Sequence, residues 1–473
     1  MVGFMSLLDV TIVNVAVPSI QEGLDASAAG IQWIVSGYAL TFGLTLVAGG
    51  RLGDVVGRRR MFVLGLVAFT LTSAMAGLAP DERLLVVARL LQGAAAGILT
   101  PQNSGLIQQL FRGAERGRAF GWFGMTVGLS SATGPVLGGV IIALFGAEQG
   151  WRYVFFVNVP IGVLAIVLAL RLLPPPDPRE ESVRSQVDSV GAVLLGLSVL
   201  LVLLPIIEAM SDPTTPLWFL MVLSPLLAWA FVRWERRLVR REAAPLLDVS
   251  LFTRAPGYAS GIVLGSTYFC GFAGVWLVLA LYLQDGLGLS ALESGLTVTP
   301  FAIGSAVAAV TAGRLVARFG RRVTVTGLIL VVAGLTMVAV VVPLTSPSKP
   351  ALWLAVPLLV AGVGGGSVIS PNITMTLACV PPRMGGAAGG ALQTGQRIGS
   401  AVGAAVLTAA FRLVAGAHGA AAGVSVAFCV ALAFVMVALV MGMRELRLRP
   451  DLGEGDESAD GEDRARHPEH THA

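Results

Sequence analysis

The sequence predicts an all-α polytopic membrane protein with fourteen transmembrane helices, and three observations carry that reading. The 473 residues are 55% hydrophobic with a mean hydropathy of +0.80. Only 13% are charged, about half of the roughly 25% with which a soluble domain clothes its surface. Apolar stretches near the ~20 residues needed to cross a ~30 Å hydrocarbon core recur along the whole chain. Together these exclude secreted and cytosolic enzymes.

In order, the stretches are Met1 to Ile20, Ile31 to Gly50, Met61 to Ala79, Leu84 to Leu110, Ala119 to Phe145, Tyr153 to Leu173, Val190 to Ile207, Leu217 to Trp234, Gly257 to Leu283, Gly295 to Val316, Val323 to Val342, Leu352 to Leu377, Gly385 to Phe411 and Ala420 to Met443. The first is not a signal peptide, because it lacks a basic n-region and a small-residue cleavage site before the second span. Asp9 lies about 12 Å from the start of its helix at ~1.5 Å per residue, so a longer natural N-terminus is the expectation.

Orientation follows from the arginines, since short basic loops stay cytoplasmic. The loops after even-numbered spans, with the C-terminal region, hold 26 basic residues, including Arg51, Arg58, Arg59, Arg60, Arg112, Arg116, Arg118, Arg179, Arg184, Arg314, Arg318, Arg321 and Arg322. The opposite side holds three, Arg83, Arg152 and Lys349, and Arg89, Arg397 and Arg412 fall inside spans. Both termini are therefore expected in the cytoplasm of a multi-pass cell-membrane protein. From Asp451 onward eight acids and two arginines give a tail of −6 against +10 for the rest; its Gly, Asp and Glu content predicts disorder.

Lys349 is the one lysine, and no basic patch interleaved with aromatics is present, which argues against a nucleic-acid partner. Cys270, Cys379 and Cys429 sit in apolar runs without metal-ligand spacing and read as small core hydrophobes. No metal site or cofactor is expected. The sequence also lacks GxxxxGK[ST], HExxH and CxxC. Energy must then come from an ion gradient: one charge crossing ~100 mV supplies about 2.3 kcal/mol, against about 1.4 kcal/mol per tenfold concentration ratio.

An internal repeat organises the spans. Gly50-Arg51-Leu52-Gly53-Asp54-Val55-Val56-Gly57-Arg58-Arg59 returns 263 residues later as Gly313-Arg314-Leu315-Val316-Ala317-Arg318-Phe319-Gly320-Arg321-Arg322, after spans two and ten. Copies at corresponding loops indicate two six-helix halves with spans seven and eight inserted between them, a transporter pattern. The expected divisions are 1–173 and 257–449 for the halves, 174–256 for the linker with its two helices, and 450–473 for the tail.

These motifs carry a family resemblance over nearly the whole chain before the tail. Leu8-Asp9-Val10-Thr11-Ile12-Val13-Asn14-Val15-Ala16-Val17-Pro18, the Gly50 to Arg60 loop, Arg89-Leu90-Leu91-Gln92-Gly93-Ala94-Ala95-Ala96-Gly97, Gly134-Pro135-Val136-Leu137-Gly138-Gly139 and Trp151-Arg152-Tyr153 through Asn158-Val159-Pro160-Ile161-Gly162 stand at the correct spans in order. The sequence resembles the major facilitator superfamily, specifically its fourteen-span drug:proton antiporter branch. Val55 departs from the loop motif's usual basic residue, and Ala317 stands where the second copy would carry the acid, so gating charge is expected to be asymmetric, with the N-terminal half carrying the acid.

Asp9 leads the candidate residues. A carboxylate at a helix centre costs roughly 2.5–3.5 kcal/mol on insertion scales, so it is expected to face a cavity or a partner, and by these span boundaries no other acid lies well inside a span. It is read as binding a proton or a cationic group, against a structural hydrogen bond with Thr11 or Asn14. The resemblance implicates Arg89 in proton coupling, holding a carboxylate ionised until proton or substrate competes; the alternative is an interfacial anchor that snorkels outward. Arg397, between Gln393, Gln396 and the C-terminal part of its span, is a second cavity candidate that would offset Asp9.

In the gating loop, Gly50 and Gly57 allow tight turns and close helix approach, while Asp54 can accept from helix N-terminal amides or from a facing arginine such as Arg58. Gly134, Pro135, Gly138 and Gly139 have no ionisable group; the resemblance implies an antiporter motif that keeps the outward end leak-tight, and GxxxG packing accounts for the spacing equally well. Gly395, Gly399 and Gly403 are assigned to packing. Asn14, Trp33, Tyr38, Gln92, Asn372 and Gln393 are cavity-lining candidates from their polarity within spans.

The expected function is proton-coupled antiport, exporting amphipathic small molecules such as antibiotics, dyes or an endogenous metabolite by alternating access, as a monomer in the lipid bilayer. A proton-coupled uptake symporter is disfavoured by the glycine-proline motif of span five. A non-transporting sensor or scaffold is disfavoured by the repeated gating loops and the acid in span one.

Overall fold

The computed structural model describes residues 2–146, 148–175, 188–211, 215–241, 243–344 and 350–448. The acidic tail, Arg179, Arg184 and Lys349 lie outside the described residues, as do Arg449, Arg464 and Arg466. Among the described residues the fold is all helical, and fourteen main helices stand where the fourteen apolar stretches were read. They are α1 (Val2–Leu24), α2 (Ala28–Val56), α3 (Arg58–Gly77), α4 (Glu82–Leu110), α5 (Gly113–Phe145), α6 (Gly150–Leu172, broken at Val157), α7 (Ser189–Ser211) and α8 (Leu220–Arg240, led in by a 3-10 turn Pro216–Phe219). The remainder are α9 (Tyr258–Leu281), α10 (Ala291–Phe319), α11 (Arg321–Leu344), α12 (Pro350–Thr376), α13 (Gly385–His418) and α14 (Ala420–Leu448).

Thirteen of these are long and apolar enough to cross a membrane. The remaining helix, α5, runs for 33 residues and ends in the apolar stretch Val136–Phe145. It packs against α1 on one side and against α10 and α12 on another, and exposes Trp122, Leu129, Val140 and Leu144. Local chemistry sets the ends. Ser27 caps α2 by accepting from the Gly30 amide, Asp81 caps α4 by accepting from Leu84, and Ser290 with Glu293 forms a reciprocal capping box on α10. Gly57 (φ 106°) ends α2 and Gly320 (φ 50°) ends α10, each in a conformation that L side chains rarely adopt. The two are equivalent positions of the 263-residue repeat.

Packing repeats with the sequence. α2 lies on α4 as α10 lies on α12; α3 meets α4 and α6 as α11 meets α12 and α14; α1 meets α5 and α6 as α9 meets α13 and α14. Between the two sets, α13 packs on α2 and α4, and α5 packs on α10 and α12. Two buried clusters draw only on residues up to Leu173, and the largest draws on residues from Ala192 onward apart from Val47, Ile107, Phe120, Phe123 and Val127. α7 and α8 pair with each other, and α7 also leans on α2 and α13.

Contacts between the two sets concentrate near the arginine-rich ends and depend on missing side chains. A Cβ on Gly50 would stand 2.2 Å from the Gly386 carbonyl oxygen, and one on Gly390 would stand 2.6 Å from that of Leu46. At the equivalent crossing, a Cβ on Gly117 would stand 2.6 Å from the Gly313 oxygen. Gly50 and Gly313 are again the same position in the repeat.

Two expectations change. α8 and α14 extend past the apolar stretches, so Glu235 and Glu445 lie within helices and are buried, and Asp9 is not alone. The cysteines are not core residues: Cys379 and Cys429 are exposed and Cys270 is half-buried.

Candidate functional site

Four helices of the first set converge on Asp9. The carboxylate is fully buried on α1, and Arg89 from α4 donates from Nη1 to Asp9 Oδ2 at 2.7 Å. Oδ1 accepts from Gln92 Nε2 of α4 at 3.0 Å and from Asn158 Nδ2 of α6 at 2.8 Å. Ser73 Oγ of α3 closes the ring by accepting from both amides at 3.0 Å and donating to the Phe155 carbonyl at 3.1 Å. Arg89 is fixed further by Nε donating to the Ile34 carbonyl at 3.0 Å, by Nη1 donating to Gln92 Oε1 at 2.7 Å, and by the Tyr38 ring 4.2 Å from its Cζ. The arrangement suits an ionised carboxylate, with N–H donors on both oxygens and an ion pair inside a sealed bundle.

The sequence placed Asp9 toward a central cavity; the structure turns it inward, toward α3, α4 and α6. Thr11 is not its partner and donates instead to the Ser130 carbonyl of α5 at 3.2 Å, while Asn14 is exposed on α1. Arg89 does not snorkel outward, since it is 1% exposed and Asp9 holds it. Ser73 and Asn158 were missed as functional candidates. Asn158 is legible only as part of the span-six motif, and a serine in an apolar run gives no signal on its own.

The gating loop forms a bridge between the two sets of helices. Asp54 accepts from the backbone amides of Gly386 at 3.0 Å and Ala387 at 2.9 Å, the first turn of α13. Its carboxylate is also paired with Arg58 Nη2 at 2.7 Å. Arg58 donates onward to the carbonyls of Gly105 on α4 and Pro382 before α13. Amides at a helix N-terminus and a guanidinium thus share one carboxylate, and both kinds of partner read from the sequence are present.

The second copy of the loop is built differently. Arg321, equivalent to Arg58, has Ala317 where Asp54 would be, and it turns back into its own bundle. Nη2 donates to Glu445 Oε1 of α14 at 3.0 Å and Nη1 to Asn372 Oδ1 of α12 at 2.6 Å. Asn372 Nδ2 in turn donates to the Gly261 carbonyl at 3.0 Å. Asn372 is therefore a bundle tie rather than a cavity-lining group. Sequence reading missed Glu445 because the apolar stretch ends before it, and Arg321 because it counted only as a topology signal.

In α5, Gly134 and Gly138 carry the crossing with α1: a Cβ on Gly134 would stand 2.0 Å from Thr11 Oγ1, and one on Gly138 3.1 Å from Ile12 Cγ1. Gly139 faces open space, so it is no part of that crossing, and the side chain of Pro135 lies outside the described residues. Gly395, Gly399 and Gly403 serve the equivalent α9–α13 crossing, the last two against the carbonyls of Ser266 and Cys270.

The other polar candidates scatter. Tyr38 and Gln92 join the Asp9 cluster. Trp33 packs with Leu40, Val199 and Leu203 against α7, which puts it in a helix contact. Gln393 donates to Ser104 Oγ of α4 at 3.2 Å, bridging the two sets, and Arg397 lies 4.5 Å from the Phe42 ring on α2.

Known proteins resemble this chain over most of its length. The family model described as Major Facilitator Superfamily matches residues 1–404 and again 261–468. A probable actinorhodin transporter of Streptomyces coelicolor is 36% identical over 422 residues, covering 88% of this chain and 72% of that protein. The tetracenomycin C resistance and export protein of Streptomyces glaucescens is 32% identical over 408 residues, covering 85% of this chain and 73% of that protein. The solved structure of the proton:xylose symporter XylE superposes with a TM-score of 0.65 at 16% identity over 94% of this chain and 93% of that chain, a likeness of fold.

Proposed function

The chain belongs to the major facilitator superfamily, and from that premise we propose that it is a proton-coupled antiporter exporting amphipathic small molecules by alternating access. The observation that carries the reading is the buried Asp9–Arg89 pair with its two amide donors. A proton arriving on Asp9 removes the charge that Arg89, Gln92 and Asn158 hold, and loosens α1 from α3, α4 and α6 together. α1 is packed face to face with α5 through Gly134 and Gly138, so its movement carries α5 and the α5–α10 contact with it. Substrate that favours the arrangement in which Arg89, Gln92 and Asn158 again hold Asp9 would release the proton in return.

The halves are 1–173 and 257–449, joined by 174–256; the mirrored helix contacts support this division. The arginine-rich side is cytoplasmic, with both termini on it. The Asp54 bridge and the glycine contacts at Gly50, Gly386 and Gly390 then belong to a conformer closed toward the cytoplasm. The substrate class is that of the relatives' named antibiotics, bulky molecules made by the cell or met from outside, and the transporter works as a monomer in the cell membrane.

Cells producing the protein test the reading. Accumulation of actinorhodin- or tetracenomycin-type compounds should fall several-fold against an empty control, and a protonophore should abolish the difference. Accumulation raised by the protein would favour uptake, and no difference for any compound would favour a sensor or scaffold.

A further inference from the structure

The inserted helices hold a second buried acid cluster, remote in sequence from Asp9. Asp188 precedes α7 and caps it, Oδ1 accepting from the Gly191 amide at 2.9 Å, and both of its oxygens accept from Trp234 Nε1 of α8, at 3.0 and 3.1 Å. The next residue of α8, Glu235, is 0% exposed. Its Oε2 accepts from the Leu247 amide at 3.4 Å, while Oε1 is buried with no donor. That bare oxygen points at Asp188: from the place of a Cβ on Gly191, Asp188 Oδ2 is 2.1 Å away and Glu235 Oε1 2.6 Å. Sharing that point, the two carboxyl oxygens are at most about 4.7 Å apart.

Two carboxylates cannot hydrogen-bond each other, and like charges this close in a sealed site cannot both ionise. What the contact lacks is a hydrogen. We propose that Asp188 and Glu235 share one proton and form a second proton-binding site of the transporter, at the arginine-rich end of the inserted helices. The proton resides on Glu235 Oε1 and is donated to Asp188 Oδ2, because Asp188 already receives the N–H donors that stabilise an anion. A metal ion does not fit: the Trp234 N–H occupies the carboxylate face, and no group of three His, Cys, Asp or Glu exists among the described residues.

Charged neighbours define what the proton does. Arg51 of α2 is half-buried between this pair and Asp54, with its Nε lacking a hydrogen-bond partner. α13 contributes no ionisable residue before Arg397, Asp248 is turned to the Ser250 amide, and Arg236 and Arg237 of α8 are exposed. Loss of the shared proton therefore leaves two carboxylates near Arg51, whose charge also acts on Asp54 of the bridge. The state of the inserted helices is in this way tied to the cytoplasm-closed contact, independently of Asp9 and of what is transported.

The test uses the full-length protein in lipid nanodiscs. Infrared difference spectra of the unmodified protein minus Glu235→Gln should contain a protonated-carboxyl band at neutral pH, and the same band should be lost in Asp188→Asn. Because the folded state keeps a proton that the unfolded chain releases, stability should fall as pH rises from about 6 to about 9. The apparent Tm of the unmodified protein should drop over that range at least twice as far as that of Glu235→Gln. Superimposed Tm profiles, or no protonated-carboxyl band that disappears as the unmodified protein is made alkaline, would overturn the proposal; the latter stands even if a variant fails to fold.

Discussion

Replacing Asp54 with Asn should open the arginine-rich side. The carboxylate has no exposed surface, accepts two amides from the first turn of α13 and pairs with Arg58. Hydrogen bonds to a charged group contribute about 1.5–3 kcal/mol each. An asparagine of the same shape keeps one neutral acceptor and turns an NH2 toward an amide N–H, so the closed state should lose about 2–4 kcal/mol. At about 1.4 kcal/mol per tenfold, the closed-to-open ratio falls on the order of 30- to 700-fold. Spin labels at the exposed positions Val56 and Arg383, with Cys270, Cys379 and Cys429 replaced, flank the bridge and report it by pulsed EPR distances. The parent should give one short distance and Asp54→Asn a mixture with a longer one. An unchanged distribution in Asp54→Asn would refute the idea that this carboxylate holds the two sets of helices together.

Other substitutions probe the remaining contacts. Gly50→Val places its Cβ against the Gly386 carbonyl oxygen, so the spin-label distance should lengthen and export should fall at least tenfold while the protein still elutes as a monodisperse species. Glu445→Ala strands a buried Arg321 guanidinium and should cost about 3–5 kcal/mol, seen as a lowered unfolding temperature that Arg321→Met in the same chain restores in part. Asn158→Ala removes one of three donors to Asp9; a loss near 1.4 kcal/mol should slow substrate-driven proton release about tenfold, measured in vesicles, with thermal stability changed far less than by Arg89→Ala.

The fold was legible because lipid imposes a length on every span and a charge on every second loop. The repeat added the pairing of elements: Gly50 with Gly313 and Gly57 with Gly320 recur as crossing and turn. Within the Asp9 cluster, Asp9, Arg89 and Gln92 stood out since ionisable and amide groups in apolar runs are costly without partners. What pairs with what was illegible, because partners 80 or 149 residues apart are chosen by helix rotation. The same rotation sent Trp33 to α7 and Asn372 to Arg321. Glu235 and Glu445 escaped because hydropathy ends a span where charge begins, whereas the helix continues for a further turn and folds the acid inward.

The central claim is that Asp9 exchanges its proton against substrate. Inverted membrane vesicles energised to an acidic interior offer the direct measurement, with the interior pH followed as actinorhodin- or tetracenomycin-type compounds are added. The account predicts substrate-triggered loss of interior acidity in the unmodified protein and none in Asp9→Asn, with the variant inserted and folded to the same extent. Equal proton release by Asp9→Asn would contradict it.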